Sequence, residues 1–234
     1  VGHNEIEIGS ATRKLFLNLI LTVAALTALS ALNSFLQWLF GGAPGSQSAS
    51  GELAAFVVAG LIWQYHWRVA ESEGLPSPAA KTLRRWYVYI LSAYGLILLS
   101  FGVVNLINVS IRSLPVWTDT LVSGPFWNSS VHSSISMIAI GGVAWLFHWF
   151  CVAKNDWDSS LREVYLYLIT ILGSAIAGLV AVTYTIYSLL NLAFGGVTGA
   201  PSIYFQFLSW TIPTFLVALA VWAYHQRTTE EEST

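Results

Sequence analysis

TLRRWYVYI at residues 82–90 heads a long apolar run, and SLREVYLYLI at 160–169 heads another in nearly the same way. Both carry Arg-x-x-Tyr-x-Tyr. ATRKLFLNLI at 11–20 aligns with them without gaps, placing Phe16 and Asn18 where the others have tyrosines. Arg13, Arg84 and Arg162 are equivalent in this alignment, as are Phe16, Tyr87 and Tyr165. Ala24, Gly95 and Gly173 fall together deeper in the run. A second motif follows each of these segments: WQYHW at 63–67, WLFHW at 145–149 and WAYHQ at 222–226, always at the end of an apolar run. The histidines lie 82 and 77 residues apart and the arginines 71 and 78. Self-similarity at a nearly fixed period marks a repeat architecture. The chain reads as three tandem two-helix units, about 11–70, 82–153 and 160–227, within one domain over 1–234.

Composition identifies the surroundings of these helices. Of the 234 residues, 55% are hydrophobic and 9% charged, against roughly 25% charged in a soluble domain. That is too little charge to coat a water-facing surface. Six apolar runs, about 15–40, 53–70, 86–111, 132–153, 164–192 and 203–225, approach the ~20 residues that a hydrocarbon core of roughly 30 Å requires. Helices satisfy their own backbone groups in lipid, and nothing alternates as barrel strands do. The expected fold is all-α, a polytopic membrane protein with six transmembrane helices. Residues 15–40 are too long for the apolar core of a signal peptide and read as a true span.

Nine of the ten basic residues (Arg13, Lys14, Arg68, Lys81, Arg84, Arg85, Lys154, Arg162 and Arg227) fall on one side of this arrangement, and Arg112 on the other. The positive-inside rule makes that side, with both termini, cytoplasmic. Cell membrane, of the prokaryotic inner or plasma type, is the expected location. A single cysteine, Cys151, excludes an intramolecular disulfide. The small residues at 24, 95 and 173, with Ala59-Gly60 and Gly141-Gly142, are candidate points of close helix approach.

Repeated hairpins with R-x-x-Y-x-Y at the start and W-x-x-H-W at the end resemble a family of prokaryotic multi-span membrane proteins of unknown function. The resemblance covers about 52–111 and 132–192 best. It implies a multi-span helical fold and brings no activity with it.

Residues three apart on a helix share a face, so Trp63 with His66, Trp145 with His148 and Trp222 with His225 are expected to point alike. With Arg13, Arg84, Arg162, Tyr87 and Tyr165 they form one layer at the cytoplasmic interface. Trp and Tyr anchor helices at interfaces, and a histidine near a helix C-terminus bonds the last carbonyls. Arg suits a lipid phosphate. Under an alternative reading, His66, His148 or His225 ligates a haem or chlorin; no other metal site is expected.

Enzyme signatures (H-E-x-x-H, C-x-x-C, G-x-S-x-G) are absent from the sequence, so no catalysis is expected. The spans carry no ionisable residue well inside the membrane, which disfavours an ion-coupled transporter; a passive channel or small-solute carrier stays open. Asn33, Asn105, Asn108, Tyr184 and Asn191 read as interhelical hydrogen-bonding groups, and the loop at 113–130 as an interfacial cap. Expected partners are membrane lipids and other membrane subunits or further copies of the chain, not nucleic acid. The function expected is that of a scaffold or accessory subunit.

The topology is checked by cysteine labelling from outside in a Cys151→Ser background. Ser129→Cys is expected to react with a membrane-impermeant maleimide and Ser77→Cys to stay protected; the opposite pattern inverts the orientation.

Overall fold

The computed structural model describes residues 10–43, 48–74, 77–114, 126–153, 156–157, 159–195 and 206–233. Most of the 113–130 cap lies outside these residues. The described chain is helical, without a strand. Its elements are α1 (Ala11–Phe40), α2 (Ser50–Glu73), α3 (Pro78–Arg112), α4 (Ser129–Val152), α5 (Ser160–Ala193) and α6 (Leu208–Ser233). All but α2 are long and apolar enough to cross a membrane. α2 has the length: its 24 residues rise about 36 Å at 1.5 Å each. Gln64, His66 and Arg68 lower its apolarity. Large apolar side chains such as Leu61, Phe101, Val143 and Leu179 are exposed on the helix surfaces, the arrangement that lipid rather than water accommodates. The protein has the build of a multi-pass membrane protein.

Two segments depart from α geometry. Phe147–Val152, the end of α4, and Val164–Leu172, within α5, are π-helical. A π turn bonds each N–H five residues back and alters which residues share a face. His148 lies in the first segment, Tyr165 and Tyr167 in the second.

Packing divides the chain into two compact units, one formed by residues 1–96 with 140–156 and the other by 97–139 with 157–234. The second hairpin contributes to both. In the first unit, α1 and α2 form an antiparallel pair around Leu17, Leu21, Ala24, Ala25 and Ala59. Their ends are closed by charge: Glu73 receives Arg13 Nε at 2.8 Å and Nη2 at 2.6 Å, and Lys14 Nζ at 3.0 Å. Lys14, 2% exposed, also donates to the carbonyl of Gly74 at 3.0 Å. Gly74 has a φ of 65°, a conformation that glycine adopts without steric cost. Burial pushes the Glu73 carboxyl up, but the hydrogen bonds and charges of Arg13 and Lys14 outweigh it and hold the group below its ordinary value. The same closure recurs in the second hairpin, where Arg85 Nε and Nη2 reach Asp156 Oδ1 at 2.7 and 2.6 Å and Tyr89 donates to Oδ2 at 2.9 Å.

The glycine positions behave unequally. A Cβ on Gly95 would lie 2.5 Å from the backbone nitrogen of Trp145 and 3.0 Å from the carbonyl of Gly141, so α3 and α4 meet backbone to backbone there. Gly102 makes an equivalent approach to Ile138 and Ser134 in the second unit. Gly173 and Gly60 correct the expectation from sequence, because a Cβ on Gly173 would meet one atom at 3.9 Å and one on Gly60 would meet nothing within 4 Å. Alignment carries residue identity from copy to copy, but not the neighbour that makes a glycine necessary. In the second unit, Val131, Tyr165, Leu166 and Ala181 fill the core. Asn128 Oδ1 caps α4, accepting from the N–H groups of Ser130 (3.0 Å) and Val131 (3.3 Å).

Gly95→Ala is expected to destabilise the protein by about 1–3 kcal/mol through overpacking. Gly60→Ala should be neutral to within about 0.5 kcal/mol, since the added methyl meets open space. Reversible unfolding in mixed micelles checks the pair; equal effects would contradict the close approach at Gly95.

Candidate functional site

All three repeated histidines make the same first bond. Nδ1 of His66 lies 2.8 Å from the carbonyl of Ile62, Nδ1 of His148 2.8 Å from that of Ala144, and Nδ1 of His225 2.8 Å from that of Val221. A carbonyl only accepts, so Nδ1 carries the proton and Nε2 is the acceptor of the neutral ring. Ser and Thr side chains in the spans do likewise: Thr22, Ser110, Ser134, Ser136, Thr170, Thr185 and Thr214 each donate to the carbonyl four residues back. In lipid this is the nearest available acceptor.

The second contact differs between copies. His148, 6% exposed, packs edge-on against Tyr87, with centroids 5.6 Å apart. His225, 0% exposed, packs the same way against Tyr165 at 5.9 Å. His66 is half-buried, and its ring neighbour is Tyr65 of its own helix. The cause lies in the repeat itself. The first copy has Phe16 at the tyrosine position, and Phe16 is 58% exposed.

Tyr87 is the junction of the first unit. Its hydroxyl accepts from Trp63 Nε1 at 2.9 Å and stands 3.4 Å from His148 Nε2, a long bond in which the hydroxyl donates. Trp67 packs on Trp63 (5.2 Å) and on Tyr87 (6.0 Å). Arg84 lies over the Trp67 ring at 3.8 Å and near the Tyr87 ring at 5.2 Å. A desolvated cation over an indole face is worth about 2 kcal/mol. Hairpin one is thus tied to hairpin two through Trp63, Trp67, Tyr87, Arg84 and His148. Arg13 belongs elsewhere, in the Glu73 closure. Trp145 packs edge-on against Phe150, with ring centroids 5.7 Å apart. In the second unit His225 meets Tyr165, Arg162 lies over Trp157 at 5.0 Å, and Trp222 is 40% exposed.

The expectation that each Trp and His point alike therefore needs correction. In α2 the tryptophan reaches the neighbouring hairpin and the histidine is half-exposed; in α6 the histidine is enclosed and the tryptophan faces outward. Three residues on a helix span a wide enough arc for the two to face different neighbours. Sequence reading also passed over Trp67, Lys14, Glu73, Tyr89 and Asp156. Two signals pointed to them: a basic pair at 13–14 and at 84–85, and an acid seven or eight residues after His66 and His148. No group of three or more His, Cys, Asp or Glu suited to a metal occurs among the described residues.

The fold defines a multi-span helical membrane protein, with aromatic and arginine side chains joining its first two hairpins. The family model for Domain of unknown function (DUF5671) matches residues 85–224. The match takes in more than half of the chain, and the chain belongs to that family. It includes Tyr87, His148 and Tyr165 and stops one residue short of His225. No curated protein and no solved structure matches the chain.

Tyr87→Phe should cost about 1–2 kcal/mol through loss of hydrogen bonds to Trp63 and His148. Trp63→Phe in that background should add less than it does alone, because the two share one bond. Additive losses in a double-mutant cycle would show that Trp63 and Tyr87 act separately.

Proposed function

We propose that the protein is a non-catalytic scaffold or accessory subunit of a larger assembly in a prokaryotic inner or plasma membrane, with structural lipid binding at its aromatic and basic layer. The observation that carries this reading is the state of α2. Among its described residues only Ala59 is buried, yet among the described long helices it alone lacks a stretch apolar enough to cross a membrane, and it exposes Gln64, Tyr65 and Arg68. A helix of that make-up is better covered by protein than by hydrocarbon. An apolar groove of ≈ 420 Å³ runs beside it, lined by Ala24, Thr27, Ala55, Ala59 and Ile62, and small residues favour helix association in lipid. The occupant proposed is another membrane subunit or a second copy. The bias of basic residues toward one side expected from the sequence supports contact with anionic lipid.

Haem or chlorin binding is the second reading. An imidazole whose Nδ1–H is held by a carbonyl is oriented for ligation through Nε2, and all three histidines have that geometry. Burial favours packing over ligation: His148 and His225 are enclosed by protein, which leaves a macrocycle no open side. His66 is the more accessible ring.

Purification in mild detergent tests both. The expected result is a protein component beyond a single 25.6 kDa chain, a photo-cross-link from position 57 or 64 to protein, and no band in the visible spectrum. A lone monomer cross-linked to lipid alone would contradict the scaffold reading. A Soret or chlorin band abolished by His66→Ala would establish the second.

A further inference from the structure

A cavity of ≈ 390 Å³ opens in the second unit, at the helix ends away from His225 and Tyr165. The end of α3, the end of α5 and residues 206–210 at the start of α6 form it. Its size falls within the range of small-ligand sites. Asn108, Asn191 and Gln206 bring amides to its walls, and Tyr184, Tyr187 and Trp210 bring rings. Arg112 also borders the cavity, but it is engaged in an interaction of its own, and the recognition does not draw on it.

Tyrosine and tryptophan collect at membrane interfaces for their own sake, and an asparagine in a span ordinarily bonds a neighbouring helix. The oxygen of Asn108 does not. Its Oδ1 is buried and has no hydrogen-bond partner among the described residues, a state that costs free energy unless something donates to it. An occupant with a hydroxyl supplies that donor. The other walls select the kind of hydroxyl compound. Amide side chains both donate and accept, as hydroxyls do, so Asn191 and Gln206 match several hydroxyls on one molecule without calling for charge. The rings stay open to contact: Tyr184 is 44% and Tyr187 61% exposed. Tyr184 and Trp210 have centroids 5.0 Å apart, and Phe207 packs edge-on against Tyr184 at 6.4 Å. The face of an aromatic ring is negative and attracts the polarised C–H groups of a sugar ring. Uncharged amides beside open ring faces are the complement of a carbohydrate.

We propose that this cavity binds a neutral sugar, with one ring hydroxyl donating to Asn108 Oδ1 and the C–H face of the sugar against Tyr184 and Trp210. Two sources share that chemistry: the headgroup of a neutral glycolipid and a free saccharide. The site stands apart from the scaffold reading and from the layer around Tyr87 and His148, since none of its residues belongs to either.

Full-length protein, delipidated in an ethylene-glycol ether detergent that carries no sugar, is titrated with glucosyl and galactosyl diacylglycerol, with diacylglycerol lacking a sugar, and with free glucose and galactose. Native mass spectrometry follows bound adducts, and thermal midpoint follows stability. Wild type is expected to bind a glycosyl diacylglycerol at least about tenfold more tightly than diacylglycerol, and Asn108→Leu and Trp210→Leu should each weaken that binding by about tenfold or more. Without ligand, Asn108→Leu should melt no lower than wild type, because the amide oxygen it removes bonds nothing in the described chain. Binding of the glycolipid alone assigns the site to a lipid headgroup, and binding of the free sugar as well assigns it to the saccharide itself. Gln206→Leu replaces Trp210→Leu if the latter fails to fold, and should also weaken binding. The proposal is overturned if wild type neither prefers a glycosyl diacylglycerol to diacylglycerol nor binds free sugar. It is equally overturned if folded variants bind as wild type does, or if Asn108→Leu lowers the midpoint and leaves sugar binding unchanged.

Discussion

An imidazole on a membrane helix brings a polar N–H into a place where water is scarce, and leaving it unbonded costs free energy. The carbonyl four residues back is the nearest acceptor, and in this protein all three repeated histidines use it. That single local bond fixes the proton on Nδ1 and turns Nε2 into an acceptor. In the second copy the neighbouring helix meets that acceptor with a hydroxyl that can donate. Tyr87 answers that need for His148, and through its oxygen it also receives Trp63 from the preceding hairpin. Arg84 settles on the aromatic faces so assembled. Much of the order at this end of the first unit follows from satisfying one ring.

The repeat is used asymmetrically. Copies two and three have a tyrosine at the position that faces the histidine, and in both the histidine is enclosed. Copy one has Phe16, which cannot donate, and there the histidine is half-exposed while Trp63 makes the bond to the next hairpin. Charge closure follows a similar course. An acid after the even helix meets the basic pair at the start of the odd helix in the first two copies: Glu73 with Arg13 and Lys14, Asp156 with Arg85. In the third copy Glu163 stands at the second basic position, and Arg162 lies over Trp157 at 5.0 Å.

The helices and their apolar faces were legible in the sequence because lipid enforces length and composition segment by segment. The repeat was legible because Arg-x-x-Tyr and Trp-x-x-His recur in order. The site was legible only in part. Tyr87 and His148, both singled out by the motifs, pack against each other, but the partner of each tryptophan was not legible, since a three-residue spacing does not fix which neighbour a side chain meets. The π-helical turns at Phe147–Val152 and Val164–Leu172 compound this by shifting faces at the very residues the motif supplies. Glycine shows the same limit. Gly95 and Gly173 align, yet a helix backbone presses against the first alone. Trp67, Glu73 and Asp156 required the fold, because their partners lie 17, 59–60 and 67–71 residues away in sequence.

Nitrogen chemical shifts of the three imidazoles, read from protein labelled at histidine in lipid bilayers, test the packing account most directly. His66, His148 and His225 should all carry a proton on Nδ1, and Tyr87→Phe should move the Nε2 resonance of His148 while leaving that of His66 in place. Protonation at Nε2 instead of Nδ1, or an Nε2 resonance of His148 indifferent to Tyr87, would contradict it.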